Sequence, residues 1–300
     1  MARNAEQAQL VTTFTITAAD FEAHRPDVLL PPDEEFAEQY AADVRIGREL
    51  AAERTVALVA IARNAMPWLP QTLGLVEETG AMFRSWSAYI FENDSEDETK
   101  DVLAAWADGT QRQVSLNVNH RPHLSHTIAT ERTTALAEYR TQCQWWVRNG
   151  EPCDYVVVFD SDSWGGWSVN GLLTSVAHIE RGDWWGLASH SWCELSTPHG
   201  AFPAGYDAWA CRWTWWNQRS HDWFHHLHLP VGSLPVEMNS AFGQLALYRS
   251  DAYLRGRYSG ETCEHVPYHK SIAEHADTRG RFGLNPSSRV VSFWVPRERL

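Results

Sequence analysis

Two aspartates one residue apart, Asp160 and Asp162, directly follow a run of β-branched and aromatic residues at 155–159. The run predicts a buried parallel strand, and the aspartates then lie at its C-terminal end, where open α/β sheets bind ligands. In extended backbone both side chains project to one side, where they repel each other unless a cation neutralises them. Mg²⁺ and Mn²⁺ prefer such oxygen ligands and often bridge to phosphates. We therefore expect a metal site that serves a nucleotide diphosphate, with a turn or a helix cap as the alternative role.

Alternating strand and helix patterns surround this pair. The predicted elements are strands at 56–62, 87–91, 113–118, 155–159, 184–189 and 241–248, and helices at 34–53, 67–82, 98–107, 130–147, 169–179 and 265–275. Such alternation with short turns is typical of an α/β fold, in which helices flank a mostly parallel, Rossmann-like sheet. Residues 199–235 are rich in Trp, His, Gly and Pro and predict a loop-rich acceptor region, and the residues after 275 predict a C-terminal tail.

Composition narrows the class of protein. The chain has 300 residues and a net charge of −13, which argues against non-specific binding to nucleic acid without excluding a nucleic-acid acceptor. We find no signal-peptide core and no transmembrane segment. The five cysteines lack C-x-x-C spacing, which indicates reduced thiols and a cytoplasmic location. The sixteen tryptophans fit either a packed core or flat platforms for a sugar ring.

Five segments follow one another in a characteristic order: 62–64 at the end of the first strand, the acidic turn 92–99, the pair at 160–162, the glycine-containing strand 240–248 and the acidic segment 260–266. This order resembles that of the GT-A-type glycosyltransferases, which use a nucleotide-sugar donor and a divalent cation. The resemblance covers roughly residues 55–290. A weaker resemblance, in residues 206–210 and 263–265, is to the fungal capsule α-1,3-mannosyltransferase-like enzymes.

The resemblance implies a division of the chain. Residues 1–53 would form an N-terminal helical extension, and residues 54–300 a GT-A glycosyltransferase domain. Within that domain, residues 54–190 would bind the nucleotide sugar, and residues 191–300 would supply the acceptor and catalytic half.

The resemblance also implies a donor site. Its predicted residues are Ala62, Arg63, Glu92, Arg132, Arg140, Asp160, Ser161 and Gly243. Arg132 and Arg140 would contact the donor diphosphate, since arginine binds phosphate with two hydrogen bonds; their alternative is a surface or ion-pairing role. Glu92 would bind the ribose hydroxyls, or else remain a solvated turn residue.

The predicted metal ligands are Asp160 and Asp162 with Mn²⁺ or Mg²⁺. Many members of the family add a late histidine as a third ligand, but residues 285–290 contain none. His265 and His269 are the predicted substitutes, and His269 is the one we take as the third ligand.

Three more carboxylates, Glu264, Glu261 and Asp207, are candidates for a general base. An inverting transfer needs such a base to deprotonate the acceptor hydroxyl, whereas a retaining transfer does not. Glu261 and Glu264 share a helix face if the late helix begins early, and either can instead stabilise the N-terminus of that helix.

The sequence therefore predicts a metal-dependent glycosyltransferase that moves a hexose from a UDP- or GDP-sugar to a carbohydrate or other hydroxyl acceptor. Two alternatives stay open. One is a noncatalytic carbohydrate-binding protein on a transferase scaffold. The other is a metal-dependent nucleotidyltransferase, which would also use paired carboxylates.

Overall fold

The computed structural model describes residues 22–121, 127, 129–197, 200–215 and 222–293. In this part of the chain a ten-stranded sheet forms the centre of the molecule. Its strands are β1 (Thr55–Ala62), β2 (Ser85–Asn93), β3 (Arg112–Asn117), β4 (Tyr155–Asp160), β5 (Gly166–Trp167), β6 (Trp184–Thr197), β7 (Gly200–Gly205), β8 (Val236–Glu237), β9 (Leu245–Arg249) and β10 (Arg281–Phe293). The α-helices are α1 (Pro26–Leu29), α2 (Ala37–Ala51), α3 (Leu69–Gly80), α4 (Thr99–Trp106), α5 (Thr130–Asn149), α6 (Val169–Arg181), α7 (Asp222–His225), α8 (Ser250–Arg255) and α9 (His265–Ala273).

The strand order confirms the predicted α/β fold. The main path is β3-β2-β1-β4-β9-β6-β10-β5, with β7 paired to β6 and β8 paired to β10. Strands β1 to β4 pair in parallel, as do β6 and β10, while β9 runs antiparallel between β4 and β6. The carboxyl ends of β1, β2, β3 and β4 therefore meet at one edge of the sheet.

Helices cover both faces of the sheet, as the nearly continuous apolar sequences of β1 and β4 require. On one face, Leu69 of α3 and Leu172 of α6 belong to the apolar core. On the other face, Tyr139 of α5 and Tyr268 of α9 belong to a second core. The two cores hold the parallel strands rigid, and the strand ends are fixed with them.

Three strands, β10, β9 and β7, differ from the prediction. The predicted tail contains β10, which the sequence pattern did not indicate because the strand includes polar residues. One of them, Asn285, is buried and donates to the hydroxyls of Thr174 and Ser175 at 2.9 and 2.8 Å. Strand β9 begins at Leu245, not at 241, because Gly243 and Gln244 have φ angles of 60° and 61°, which a strand does not accommodate. Strand β7 lies inside the region predicted to be loop-rich.

The predicted N-terminal helix is present as α2 and packs against α6. A Cβ on Gly47 would lie 1.8 Å from the carbonyl oxygen of Leu173, so the two helix backbones are in direct contact. Residues 1–21 of the predicted extension lie outside the described residues. None of the helices in the described part of the chain is long and apolar enough to cross a membrane.

Candidate functional site

The two aspartates lie where the parallel strands end. Strand β4 ends at Asp160, which pairs in register with Ile61 of β1. The Asp160 N–H donates to the carbonyl oxygen of Gln244 at 2.9 Å. Ser161 is buried and donates its hydroxyl to the Ile61 carbonyl oxygen at 3.1 Å, so it fixes the turn to β1. The backbone that presents Asp160 and Asp162 is thus attached on both sides.

Arg140 lies among the site carboxylates. Its Nη2 donates to Asp160 Oδ1 at 3.0 Å, and its Nε donates to Glu264 Oε1 at 2.8 Å. The guanidinium carbon lies 4.8 Å from the ring centroid of Phe242, and the side chain is only 5% exposed. Arg140 was predicted to contact the donor diphosphate. In the structure its two hydrogen bonds join α5 to β4 and to Glu264, the residue before α9.

Asp207 joins this group from the segment after β7. Its Oδ2 accepts the Gly243 N–H at 2.9 Å, and its Oδ1 accepts the Ala210 N–H at 3.4 Å. Gly243 has φ 60°, and a Cβ there would lie 2.0 Å from the carbonyl oxygen of Ser189. Only glycine fits, so Gly243 serves the site by its backbone: it fixes the N–H that holds Asp207.

The carboxylates outnumber the cations at this site. Burial raises the pKa of Asp160 to about 6; Arg140 opposes the rise and Asp162 adds to it. Burial raises the pKa of Asp207 to about 7; the Gly243 N–H opposes the rise, and the charges of Asp160 and Glu264 add to it. Burial is the first cause of both raised pKa values, and the repulsion between neighbouring carboxylates adds to it, so a bound cation would favour the ionised carboxylates.

Arg132 and two aromatic residues border the carboxylates. The Arg132 guanidinium lies 6.0 Å from the Trp209 ring centroid, and its charge opposes the burial that raises the pKa of Asp162. Tyr206 is 39% exposed, and its pKa is raised first by burial and then by Asp207 and the aspartate pair. Tyr206 and Trp209 were not among the predicted site residues, although both lie in the segment 206–210 that carries the weaker family resemblance.

A cleft lies at the carboxyl ends of β1 to β3. Its volume is about 460 Å³, and its lining residues are Arg63, Asp94, Ser95, Glu96, Lys100, His120 and Arg121. Arg63, which follows Ala62 at the end of β1, donates to the Arg121 carbonyl oxygen at 3.1 Å. The cleft and the aspartate pair occupy the same edge of the sheet.

The structure places two predicted residues away from these surfaces. Glu92 is fully buried, and its Oε1 accepts the Ser95 N–H at 2.8 Å, so it shapes the turn after β2. His269 is also fully buried; its ring nitrogens lie 2.8 Å from Ser240 Oγ and 2.9 Å from the Tyr248 hydroxyl. Because both nitrogens are occupied and burial lowers its pKa to about 3, His269 is a neutral core residue without a free nitrogen for a metal.

Glu264 and Glu261 differ in their surroundings. Glu264 is buried, and its Oε1 accepts from Arg140 and lies 3.4 Å from His265 Nε2. Glu261 is exposed, and no contact within the described residues joins its carboxylate to the site. Of the three predicted bases, Glu264 and Asp207 therefore lie at the site, and Glu261 lies outside it.

The protein side chains alone make an incomplete metal shell. Within the described ranges, no three His, Cys, Asp or Glu side chains are grouped so that they would hold a metal ion. Asp160 and Asp162 are hard oxygen donors that suit Mg²⁺ or Mn²⁺, and they fit a cation that takes its other ligands from phosphate and water.

No protein-family model matches the sequence, and no curated protein matches it. Among solved structures, the chain is similar to GalNAc-T7 in complex with UDP, GalNAc and Mn²⁺, at 13% identity and a TM-score of 0.52, over 89% of this chain and 54% of that one. It is also similar to the Pyrobaculum calidifontis mannosyltransferase PcManGT in complex with GDP-Man and Mn²⁺, at 12% identity and a TM-score of 0.44, over 88% and 66%. A third similar structure is S. aureus TarS 1–349, at 11% identity and a TM-score of 0.45, over 79% and 60%.

The likeness to GalNAc-T7 confirms the predicted GT-A-type fold, in which helices flank a mostly parallel, Rossmann-like sheet. The chain spans about half the length of the GalNAc-T7 chain that it matches. The narrower resemblance to fungal mannosyltransferases stays a prediction.

Proposed function

We propose that this protein is a metal-dependent glycosyltransferase that moves a hexose from a UDP- or GDP-sugar to an acceptor hydroxyl. The main support is the group of carboxylates around Arg140, because it lies at the carboxyl end of β4 on a GT-A-type fold. Burial, and then the charges of neighbouring carboxylates, raise the pKa of Asp160 and of Asp207, so the ionised site gains from added positive charge. A divalent cation would supply that charge.

The donor would lie along the sheet edge. Its nucleoside would occupy the cleft beside Arg63, and its diphosphate would reach Asp160 and Asp162. Bound Mn²⁺ or Mg²⁺ would stabilise the negative charge that develops on the leaving diphosphate. Arg132 is the better placed of the two predicted arginines for the phosphates, because Arg140 is already bound to Asp160 and Glu264.

Asp207 is our preferred general base for an inverting reaction. Its pKa of about 7 suits proton transfer near neutral pH. It also follows the exposed Tyr206, at the open side of the site. Glu264 is less suitable because its Oε1 is held by Arg140 and its side chain is only 4% exposed. Glu264 would instead hold Arg140 in place.

Tyr206 and Trp209 would border the acceptor. Flat aromatic rings beside the base suit an acceptor with an apolar face, such as a sugar ring. We also propose a cytoplasmic location, since all five cysteines are free thiols in the fold.

The decisive experiment is turnover of UDP- and GDP-sugars with Mn²⁺ in the wild type, in Asp162→Asn and in the control Asp277→Asn. Asp277 is 76% exposed at a surface loop, so its variant should behave as wild type. We expect Asp162→Asn to lose about 100-fold or more in turnover, because the leaving charge then lacks a fixed cation.

Turnover that survives both chelation and Asp162→Asn would refute the metal role. The products separate the remaining alternatives. A transferred nucleoside monophosphate would indicate a nucleotidyltransferase, and glycan binding without affinity for UDP or GDP would indicate a carbohydrate-binding protein.

A further inference from the structure

A fully buried arginine joins the N-terminal extension to the sheet. Arg289 of β10 donates through Nη2 to Asp27 Oδ1 at 2.7 Å, to the Tyr40 hydroxyl at 2.8 Å and to Ser168 Oγ at 3.0 Å. Asp27 belongs to α1 and Tyr40 to α2, whereas Ser168 directly precedes α6. Two neighbouring helices of the extension and the start of the distant α6 thus meet at one guanidinium.

Ser168 ends the loop that begins with the aspartate pair. We call residues 160–168 the carboxylate loop. Ser168 Oγ donates to Asp27 Oδ1 at 2.7 Å and accepts the Gly171 N–H at 2.8 Å, which caps α6. Its own N–H donates to the Arg289 carbonyl oxygen at 2.9 Å. The far end of the carboxylate loop is therefore held jointly by Asp27 and β10.

The middle of the carboxylate loop also lies against the extension. The ring centroids of Trp164 and His24 are 6.2 Å apart in an edge-on arrangement. A Cβ on Gly165 would lie 2.3 Å from the His24 carbonyl oxygen, so the two backbones touch. On the opposite side, the Gly165 N–H donates to the Val291 carbonyl oxygen of β10 at 2.9 Å. The segment that follows Asp162 is enclosed between the extension and β10.

We infer that the N-terminal extension is a positioning element of the metal site, and that it acts through Asp27 and Ser168 on the carboxylate loop. This inference rests on the proposed function. Metal ligands must be held to within about 0.5 Å of the productive geometry by residues that are themselves fixed. Asp160 is held in place by β4, whereas the position of Asp162 depends on the carboxylate loop, which packs against the N-terminal extension. Asp27 touches neither aspartate, so it is a positioning residue and not a catalytic one.

Asp43 provides a matched control on the same extension. It lies on α2 and is 2% exposed, and its Oδ1 accepts from Arg181 at 2.7 Å. Arg181 ends α6, at the opposite end of that helix from Ser168. Asp43 therefore anchors the extension to the same helix without contacting the carboxylate loop.

The experiment compares the full-length wild type, Asp27→Ala and Asp43→Ala, because alanine removes the oxygen that accepts from Ser168 and Arg289. UDP and GDP are titrated by calorimetry over a series of Mn²⁺ concentrations, and thermal unfolding is recorded without metal. We expect both variants to unfold at lower temperature. Only Asp27→Ala should raise the Mn²⁺ concentration for half-maximal nucleotide binding, by up to about tenfold, since tenfold is the lower end of the effect of mutating a direct partner of a metal ligand and Asp27 acts one contact further out. Donor turnover at saturating Mn²⁺ should be retained.

An equal Mn²⁺ requirement in Asp27→Ala and Asp43→Ala would overturn the inference while leaving the proposed function intact. A wild type without any Mn²⁺-dependent nucleotide binding would overturn both. If Asp27→Ala does not fold, Ser168→Ala takes its place, because it removes the hydroxyl link and keeps the ion pair between Asp27 and Arg289. A wild-type Mn²⁺ requirement in Ser168→Ala would also contradict the inference.

Discussion

Two buried arginines, Arg140 and Arg289, have opposite electrostatic surroundings. The Arg289 side chain is fully buried and faces one carboxylate, Asp27; its other acceptors are neutral oxygens. The Arg140 side chain is 5% exposed and faces Asp160 and Glu264, with further carboxylates close by. The charge of Arg289 is balanced by one carboxylate, whereas the charge of Arg140 is shared by the two carboxylates that it contacts.

The difference separates a structural ion pair from a functional one. A buried charge is tolerated where a partner and hydrogen bonds compensate it, which is the case for Arg289. Around Arg140 one cation must serve several carboxylates, and the pKa of Asp160 stays raised, to about 6. Uncompensated charge is costly for folding, so its presence at a strand edge indicates a site that is completed by a ligand.

The largest effect should come from Arg140→Met. Removal of the guanidinium leaves Asp160 and Glu264 without their shared cation, so the first metal ligand loses its partner. We expect donor turnover with Mn²⁺ to fall about 100-fold and the free energy of unfolding at pH 8 to fall by about 3 kcal/mol. Steady-state kinetics and urea unfolding measure the two effects. Wild-type turnover in this variant would show that Arg140 has no part in the site.

Arg289→Met should affect stability more than chemistry. We expect the free energy of unfolding to fall by about 2 kcal/mol, less than for Arg140, because water can reach the remaining Asp27. The side chain of Asp27 is 36% exposed. Turnover at saturating Mn²⁺ should be retained, with an increased Mn²⁺ requirement as in Asp27→Ala. If turnover falls as far as in Arg140→Met, the two arginines do not differ in the way we describe.

Asp207→Asn tests whether the site carries excess negative charge, through the pH dependence of the free energy of unfolding. The pKa of Asp207 is about 7 in the fold, whereas an unfolded chain has about 3.9. The folded state therefore binds the proton more tightly, and the wild type loses stability as the pH rises through this window. Without metal, Asp207→Asn should be more stable than wild type at pH 8, on the order of 2 kcal/mol, and similar to it near pH 4.

Urea unfolding across this pH range is the measurement for Asp207→Asn, with Asp277→Asn as the exposed control. The amide oxygen still accepts the Gly243 N–H, so the backbone contact is preserved. The variant should also lose turnover if the reaction is inverting. A pH dependence identical to that of wild type would contradict the proposed electrostatics of Asp207.

Much of the first half of the fold could be predicted. Strands β1 and β4 are nearly continuous apolar runs, which is the pattern that a strand buried on both faces requires. Strand β10 could not be predicted in the same way. Its buried Asn285 and Arg289 are satisfied by Thr174, Ser175 and Asp27, partners more than 100 residues away in the sequence.

In the candidate site, too, some positions follow from local sequence patterns and others depend on distant partners. The positions of Asp160 and Asp162 followed from a local rule, since residues after a buried strand lie at the sheet edge. The surroundings of Arg140, His269 and Glu92 did not, because burial and hydrogen-bond partners depend on segments that only folding brings together.

By itself, the sequence determined the alternation of strands and helices and the placement of two aspartates at a strand end. These features are encoded within a few residues, through apolar patterning and the period of extended backbone. Only the tertiary structure decided that Asp207, Glu264 and Arg140 converge on that end, and that the extension encloses the carboxylate loop. The physical reason is that charge compensation and burial are set by distant partners, which no local pattern specifies.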